Sequence, residues 1–466
     1  MKKSLFFIVL IALIISIVIV SNKRQSTLSE MRSLYISAEG DDHNNGTKAH
    51  PFKTLQKASK EATKGTTVFI RGGTYKEALT IKHSGTSTSP IVFRPYKKER
   101  VILDGSHIPQ KEEETALVKI QDKSYITIQG LEIRNLSTSL TDQTPMGIYV
   151  TGKGTGIKLL SNKVHHIKTT GQDGNAHGIA VYGTKEITNL TIKGNLLEHL
   201  TLGSSESLVL NGNVSNFSVS NNTVRYSDNI GIDLIGYEGT AKKHDYVRNG
   251  KIKNNIVHHI SSYSNPAYGE DYAAGGIYID GGHHLIVSNN VVYKNDIGIE
   301  ATSEHKGKDA QDITISHNTL YNNDYTGISI GGYDKKRGGT KNSLITHNVL
   351  YKNDLKELGG GQLLLQYNTK GNTIENNIFT ASSSGIFISN DFKENKNNHL
   401  NRNVYDSRIG EDAIWIWKKQ EVYSLSSFKK LTNSDEKSIF ANPHYKHEKE
   451  FNFSLKEGTK ADLLIH

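Results

Sequence analysis

Along much of this chain apolar and polar residues alternate for four or five positions and then stop at an asparagine. The stretch Leu285 to Ser288 runs up to Asn290, and Ile313 to Ser316 runs up to Asn318. Alternation with a period of two predicts strands with one buried face. The asparagine returns nine times, at Asn162, Asn195, Asn222, Asn255, Asn290, Asn318, Asn348, Asn377 and Asn403, at spacings of 26 to 35 residues. The repeating unit is therefore strand, Asn turn, strand. Asparagines stacked from coil to coil can satisfy one another's buried amides. Surface turns that merely favour Asn would predict irregular flanks instead.

A second column accompanies the first: Gly147-Ile148-Tyr149-Val150, Gly178-Ile179-Ala180-Val181, Gly231-Ile232-Asp233-Leu234, Gly276-Ile277-Tyr278-Ile279, Gly298-Ile299-Glu300-Ala301, Gly327-Ile328-Ser329-Ile330 and Gly385-Ile386-Phe387-Ile388. The Ile and the residue two beyond it are expected to face inward, and the residue between them outward. Gly276 to Gly298 needs only 22 residues, the length of one turn of a parallel β-helix. Longer intervals then imply loops on one wall, the largest insertions being Tyr237–Asn249 and Tyr263–Ala274. The predicted fold is all-β, a right-handed parallel β-helix over residues 34–410. An N-terminal cap carries a short helix from Thr54 to about Thr63, and residues 411–466 form a C-terminal cap.

Composition changes the picture in two places. No cysteine occurs among the 466 residues, which excludes disulfides, thiolate metal sites and a cysteine nucleophile. The net charge of +9 favours polyanionic partners, but the basic residues are scattered and no nucleic-acid module is present. Within residues 1–30, Lys2 and Lys3 precede an apolar run from Leu5 to Val20, which Asn22, Lys23 and Arg24 end. This segment predicts export, either as a membrane anchor or as a cleaved signal, and is the only expected membrane contact. A monomer is expected.

The sequence opening resembles a known family. Tyr35-Ile36-Ser37 with Gly40-Asp41-Asp42, Asn45-Gly46-Thr47, Pro51 to Ala58 and Arg71-Gly72-Gly73-Thr74-Tyr75 are similar to the N-terminus of secreted right-handed parallel β-helix proteins. These include pectate lyases and chondroitinase-B-like polysaccharide lyases. The same opening also introduces hydrolases and epimerases on this fold.

Candidate chemistry gathers on the outward column. Asp233, Asp280 and Glu300 come from three consecutive coils, with Asp280 roughly 8 Å from each of the others at the backbone. Glu238, Glu270, Asp271 and Glu304 lie on adjoining loops. Like charges this close call for a cation, a shared proton or a basic partner. His305 and Lys306 follow Glu304, and Lys335, Lys336 and Arg337 leave the next coil, suited to the carboxylate or sulfate of an acidic sugar. Tyr237, Tyr278 and Tyr333 can offer flat faces to pyranose rings. In the lyases that the chain resembles, acidic residues hold Ca²⁺ against the sugar carboxylate and a Lys or Arg removes the C5 proton. Carried over, the resemblance implies Asp233, Asp280, Glu300 and Glu304 as Ca²⁺ ligands, Lys306 as base and Arg337 assisting. His305 is the alternative base, because its ordinary pKa already suits the task. Two other readings stay open: an inverting hydrolase of the polygalacturonase type, whose carboxyl separation of about 6.5 to 9.5 Å is compatible with this spacing, and a non-catalytic cell-surface glycan-binding β-helix.

Overall fold

The computed structural model describes residues 32–109, 113–407 and 413–465. The apolar N-terminal run lies outside them. No described helix is long and apolar enough to cross a membrane.

Nearly every strand pairs in parallel with the strand one coil later, and the coils stack into a right-handed solenoid with three walls. The first wall carries the Gly-Ile-x strands, including His177–Thr188, Ile232–Ile235, Gly275–Asp280, Ile297–Thr302 and Thr326–Ile330, with Leu208–Ser215 between the first two. The second wall includes Ser218–Ser220, Arg248–Lys253 and His283–Ser288. Among the described residues the third wall is a sheet of 13 strands running from Gly73–Tyr75 to Ile439–Phe440. Inward residues align in columns. On the second wall Val219, Ile252, Val287 and Ile315 are lateral partners and fully buried, so each coil completes the core of the next.

The corner between the second and third walls is where asparagine is required. Each amide donates to the carboxamide oxygen of the next coil, as in Asn222 Nδ2 to Asn255 Oδ1 and Asn255 Nδ2 to Asn290 Oδ1, both 3.0 Å. The backbone N–H donates to the same oxygen, and the second amide hydrogen reaches the carbonyl of the strand just before the preceding coil's turn, Val219 O for Asn255. The residue before each of these asparagines is left-handed, for example Asn254 and Asn289 at φ +55° and His317 at +55°. That conformation turns the chain sharply between walls, and Asn and His are among the residues that tolerate it. A shorter stack links Asn295, Asn323 and Asn353 after the third wall and is closed by Gln362. The first-wall glycines make room for it: a Cβ on Gly276 would lie 2.9 Å from Asn295 Nδ2 and 2.9 Å from the Gly298 carbonyl.

The outward column on the first wall is aligned as the sequence predicts through Val209, Asp233, Tyr278, Glu300 and Ser329. It departs at Phe387. An irregularity in the pairing at Ile386–Ile388 shifts the register, and Phe387 turns inward, its ring tilted against Trp415 with centres 4.8 Å apart. Tyr149, Ala180 and Val209 face outward yet are buried, in a small apolar cluster with Met146 and Ile235.

At the N-terminal end the helix Leu55–Glu61 seats Leu55 and Ala58 in the core. Its N-cap Thr54 accepts from the Lys57 N–H at 3.1 Å and donates to Asp42 at 2.7 Å. Thr54→Ala is expected to cost about 1–2 kcal/mol in a denaturant titration; an unchanged midpoint would show that the cap is dispensable. At the other end Ile414–Trp417 adds a parallel strand to the first wall and Ile439–Phe440 one to the third, so the solenoid continues into the segment expected as a C-terminal cap. The helix Leu425–Thr432 then covers the last coil, Phe428 lying 5.8 Å from Trp415. Beyond it the chain returns along the outer face of the third wall. Phe451 stacks on Tyr321 at 4.6 Å, and Tyr351 donates to Glu448 at 2.7 Å.

Candidate functional site

The outer face of the first wall is covered where the longest loops emerge. Residues 261–274 and 352–361 rise beside the strands Gly275–Asp280 and Ile297–Thr302 and enclose a cleft of about 580 Å³. Its lining includes Tyr268, Tyr272, Tyr278, Tyr325 and Tyr333 together with Asp271, Glu300 and Glu304. A groove of the same size on the third wall is lined by His166, Lys168, His199 and Tyr226. It has no carboxylate in its lining, so the acid-lined cleft is the candidate site.

Asp233, Asp280 and Glu300 all lie on this outer face, and all are buried, at 2%, 3% and 5% exposure. Their fixed partners are sparse. Asp233 accepts from the Leu234 N–H at 2.7 Å. Asp280 accepts from the Glu304 N–H at 2.6 Å. Glu300 faces Ser329 Oγ and Gln366 Nε2 at 3.4 and 3.5 Å. Among the described residues no Lys or Arg forms an ion pair with any of the three. Burial first, then neighbouring acids, raises all their pKa values: Glu300 to about 8 with Glu304 beside it, Asp233 under the influence of Glu206 and Asp280. Asp280 is raised chiefly by burial, against the lowering effect of the Glu304 N–H.

Two more acids belong to this group, Glu206, which the sequence did not mark, and Glu238, which it placed on an adjoining loop. Glu206 stands just before the strand Leu208–Ser215. Burial and Glu238 push it to about 8, and its carboxylate lies 3.5 Å from His177 Nδ1. Its strand lacks the Gly-Ile signature, so nothing in the local pattern marked it. Glu238 opens the loop after Ile232–Ile235 and accepts from Asn211 at 2.8 Å. One ligand atom each from Glu238, Asp280 and His305 lies within 4.8 Å of the others.

Of the four acids expected to hold calcium, Asp280 lies in that trio and Glu304 adjoins it through its backbone. Asp233 and Glu300 are tied to the partners given above. The trio supplies two carboxylates and an imidazole, a donor set that fits a divalent cation. Glu304 accepts from Tyr278 at 3.1 Å and from Tyr333 at 3.5 Å, and the Arg337 guanidinium sits 4.6 Å from the Tyr333 ring centre. Arg337, Tyr333, Glu304 and Tyr278 are thereby brought together. Lys306 is exposed on the turn after Ile297–Thr302. Lys335 is paired with Glu394 at 2.6 Å, and Lys336 is exposed beside it. Tyr237 packs on Tyr246 and donates or accepts with His283 at 2.7 Å, outside the cleft lining.

Residues 34–362 match the family model for the Pel9A-like right-handed beta helix region. The chain belongs to this family. Over 463 residues it is 54% identical to the uncharacterized protein YwoF of Bacillus subtilis (strain 168), covering 99% of both chains. It is also 33% identical over 127 residues to pectate lyase PEL9 of Emericella nidulans, covering 25% of this chain and 29% of that one. Among solved structures, the GH136 lacto-N-biosidase of Eubacterium ramulus superposes with a TM-score of 0.57 at 14% identity, over 82% of this chain and 69% of that one. At that identity the likeness is one of fold. Membership in the Pel9A-like family agrees with the resemblance carried by the N-terminal motifs.

Proposed function

We propose that this member of the Pel9A-like family is an exported enzyme that cleaves an acidic, uronate-containing polysaccharide by β-elimination. The observation that supports this best is the gathering of Glu238, Asp280 and His305 beside a tyrosine-lined cleft, in a family with a pectate lyase among its relatives. Arg337, stacked on Tyr333 at the cleft rim, suits the substrate carboxylate, and Tyr278 and Tyr333 suit sugar rings. A divalent cation held by Glu238, Asp280 and His305 would neutralise that carboxylate when bound. Lys306, on the turn that also carries Glu304 and His305, is the base assigned to the C5 proton. As the C5–H bond gives its pair to a C4–C5 double bond, the C4–O bond breaks. Glu300, held up to about 8 by burial, retains a proton near neutral pH that the leaving oxygen can accept.

The test is incubation with a panel of acidic polysaccharides, with and without a chelator, following the ultraviolet absorbance of unsaturated uronate. A chelator-sensitive rise is expected, and Lys306→Ala should lower the rate about 10²- to 10⁴-fold without changing the melting temperature. New reducing ends without absorbance would replace the lyase by a hydrolase. Full activity of Lys306→Ala would remove the assigned base.

A further inference from the structure

We propose that Glu238, Asp280 and His305 form a binding site selective for a divalent first-row transition ion, of the manganese or zinc class, over calcium. This deepens the cation part of the reading above and rests on it only for the ion's role in the reaction. The three side chains leave the ends of three consecutive first-wall strands: Asp280 closes Gly275–Asp280, Glu238 follows Ile232–Ile235, and His305 follows Ile297–Thr302. Stacking of the coils is what brings their ligand atoms within 4.8 Å of one another.

The supporting contacts are those of a held ligand set. Asn211 donates to Glu238 Oε2 at 2.8 Å, and Asn211 is itself fixed by Thr240 donating to its Oδ1 at 2.8 Å. The Glu304 N–H holds Asp280 Oδ1. Partners of this kind orient ligating carboxylates before a metal arrives. A separate observation points to a missing partner. Thr302 is the lateral neighbour of Asp280 on the same outward face and is fully buried, yet its Oγ1 has no hydrogen-bond partner. A buried hydroxyl left unsatisfied is costly and calls for a water or an ion. The choice of ion follows from the donors. Calcium and magnesium take oxygen almost exclusively, whereas an imidazole nitrogen beside two carboxylates suits manganese and zinc. The imidazole is what separates this set from the oxygen-only ligands expected from sequence.

The full-length chain, stripped with a chelator, would be titrated with Mn²⁺ in the absence of any polysaccharide and followed by electron paramagnetic resonance. One Mn²⁺ per chain is expected, with nitrogen modulation from a directly bound imidazole in pulsed spectra. Equimolar Zn²⁺ should displace it, and a hundredfold excess of Ca²⁺ should not. His305→Ala should abolish the nitrogen signal and weaken Mn²⁺ binding at least tenfold, with circular dichroism unchanged. Wild-type Mn²⁺ bound without nitrogen modulation, or displaced by equimolar Ca²⁺, would overturn the proposal, and neither result depends on the variant folding. Since no substrate is present, a lyase assay that fails leaves this measurement standing, and the converse holds too.

Discussion

Asn255→Ala is expected to destabilise the chain by about 3–6 kcal/mol, a loss that exposed asparagines of the same repeat would not produce. Asn255 lies in the middle of the amide stack and is fully buried. Its removal leaves the Asn222 N–H and one Asn222 amide hydrogen without an acceptor, and takes one donor from the Val219 carbonyl. Each buried orphan costs about 1–3 kcal/mol, and bonds in a polarised chain are worth more together than singly. Asn254→Ala, one residue away at φ +55°, removes no stack contact and should cost about 1 kcal/mol from backbone strain alone. Urea titrations of both variants decide the matter. Equal midpoints would mean that the stack is a consequence of the coil geometry and contributes little to it.

The second large effect is a dependence of stability on pH in the metal-free chain. Burial lifts Glu300 and Glu206 from an ordinary 4.5 to about 8, and Asp233 and Asp280 are raised in the same direction. The folded chain therefore keeps protons that the unfolded chain releases. The associated stability is complete below the ordinary carboxylate range, declines as pH rises, and is gone above about 8. A chelated sample should melt at progressively lower temperature between pH 5 and 8, each such glutamate accounting for on the order of 3 kcal/mol. Glu300→Gln should flatten part of that decline, and a saturating divalent cation should flatten more of it. A melting temperature constant from pH 5 to 8 without metal would contradict the raised pKa values of these buried acids.

Much of this was legible because the coil imposes chemistry on single positions. Only a side chain with both donor and acceptor can link coil to coil at the wall corner, so Asn recurs and can be counted. The Gly-Ile-x strands announced themselves through the crowding that excludes a Cβ at Gly276. The stack Asn295–Asn323–Asn353 stayed hidden because it has three members and ends on Gln362, only nine residues further along the chain. Phe387 was misplaced because the pairing is irregular just there, between Ile386 and Ile388, while Ile388 still aligns with the inward Leu363. At the site, alternation correctly set Asp233, Asp280 and Glu300 on one outer face. It could not foresee Glu238 and His305 closing on Asp280, since both sit past strand ends, where loop paths and not period two decide which atoms meet.

The C-terminal segment has a consequence for how the molecule comes apart. A stack of like coils can open from either end, one layer at a time. Here the final residues reach back to Tyr321 and Tyr351, and Arg402 is tied to the Leu464 carbonyl. The tail thus clasps layers well inside the stack, and peeling from that end cannot begin until the clasp is lifted or trimmed away.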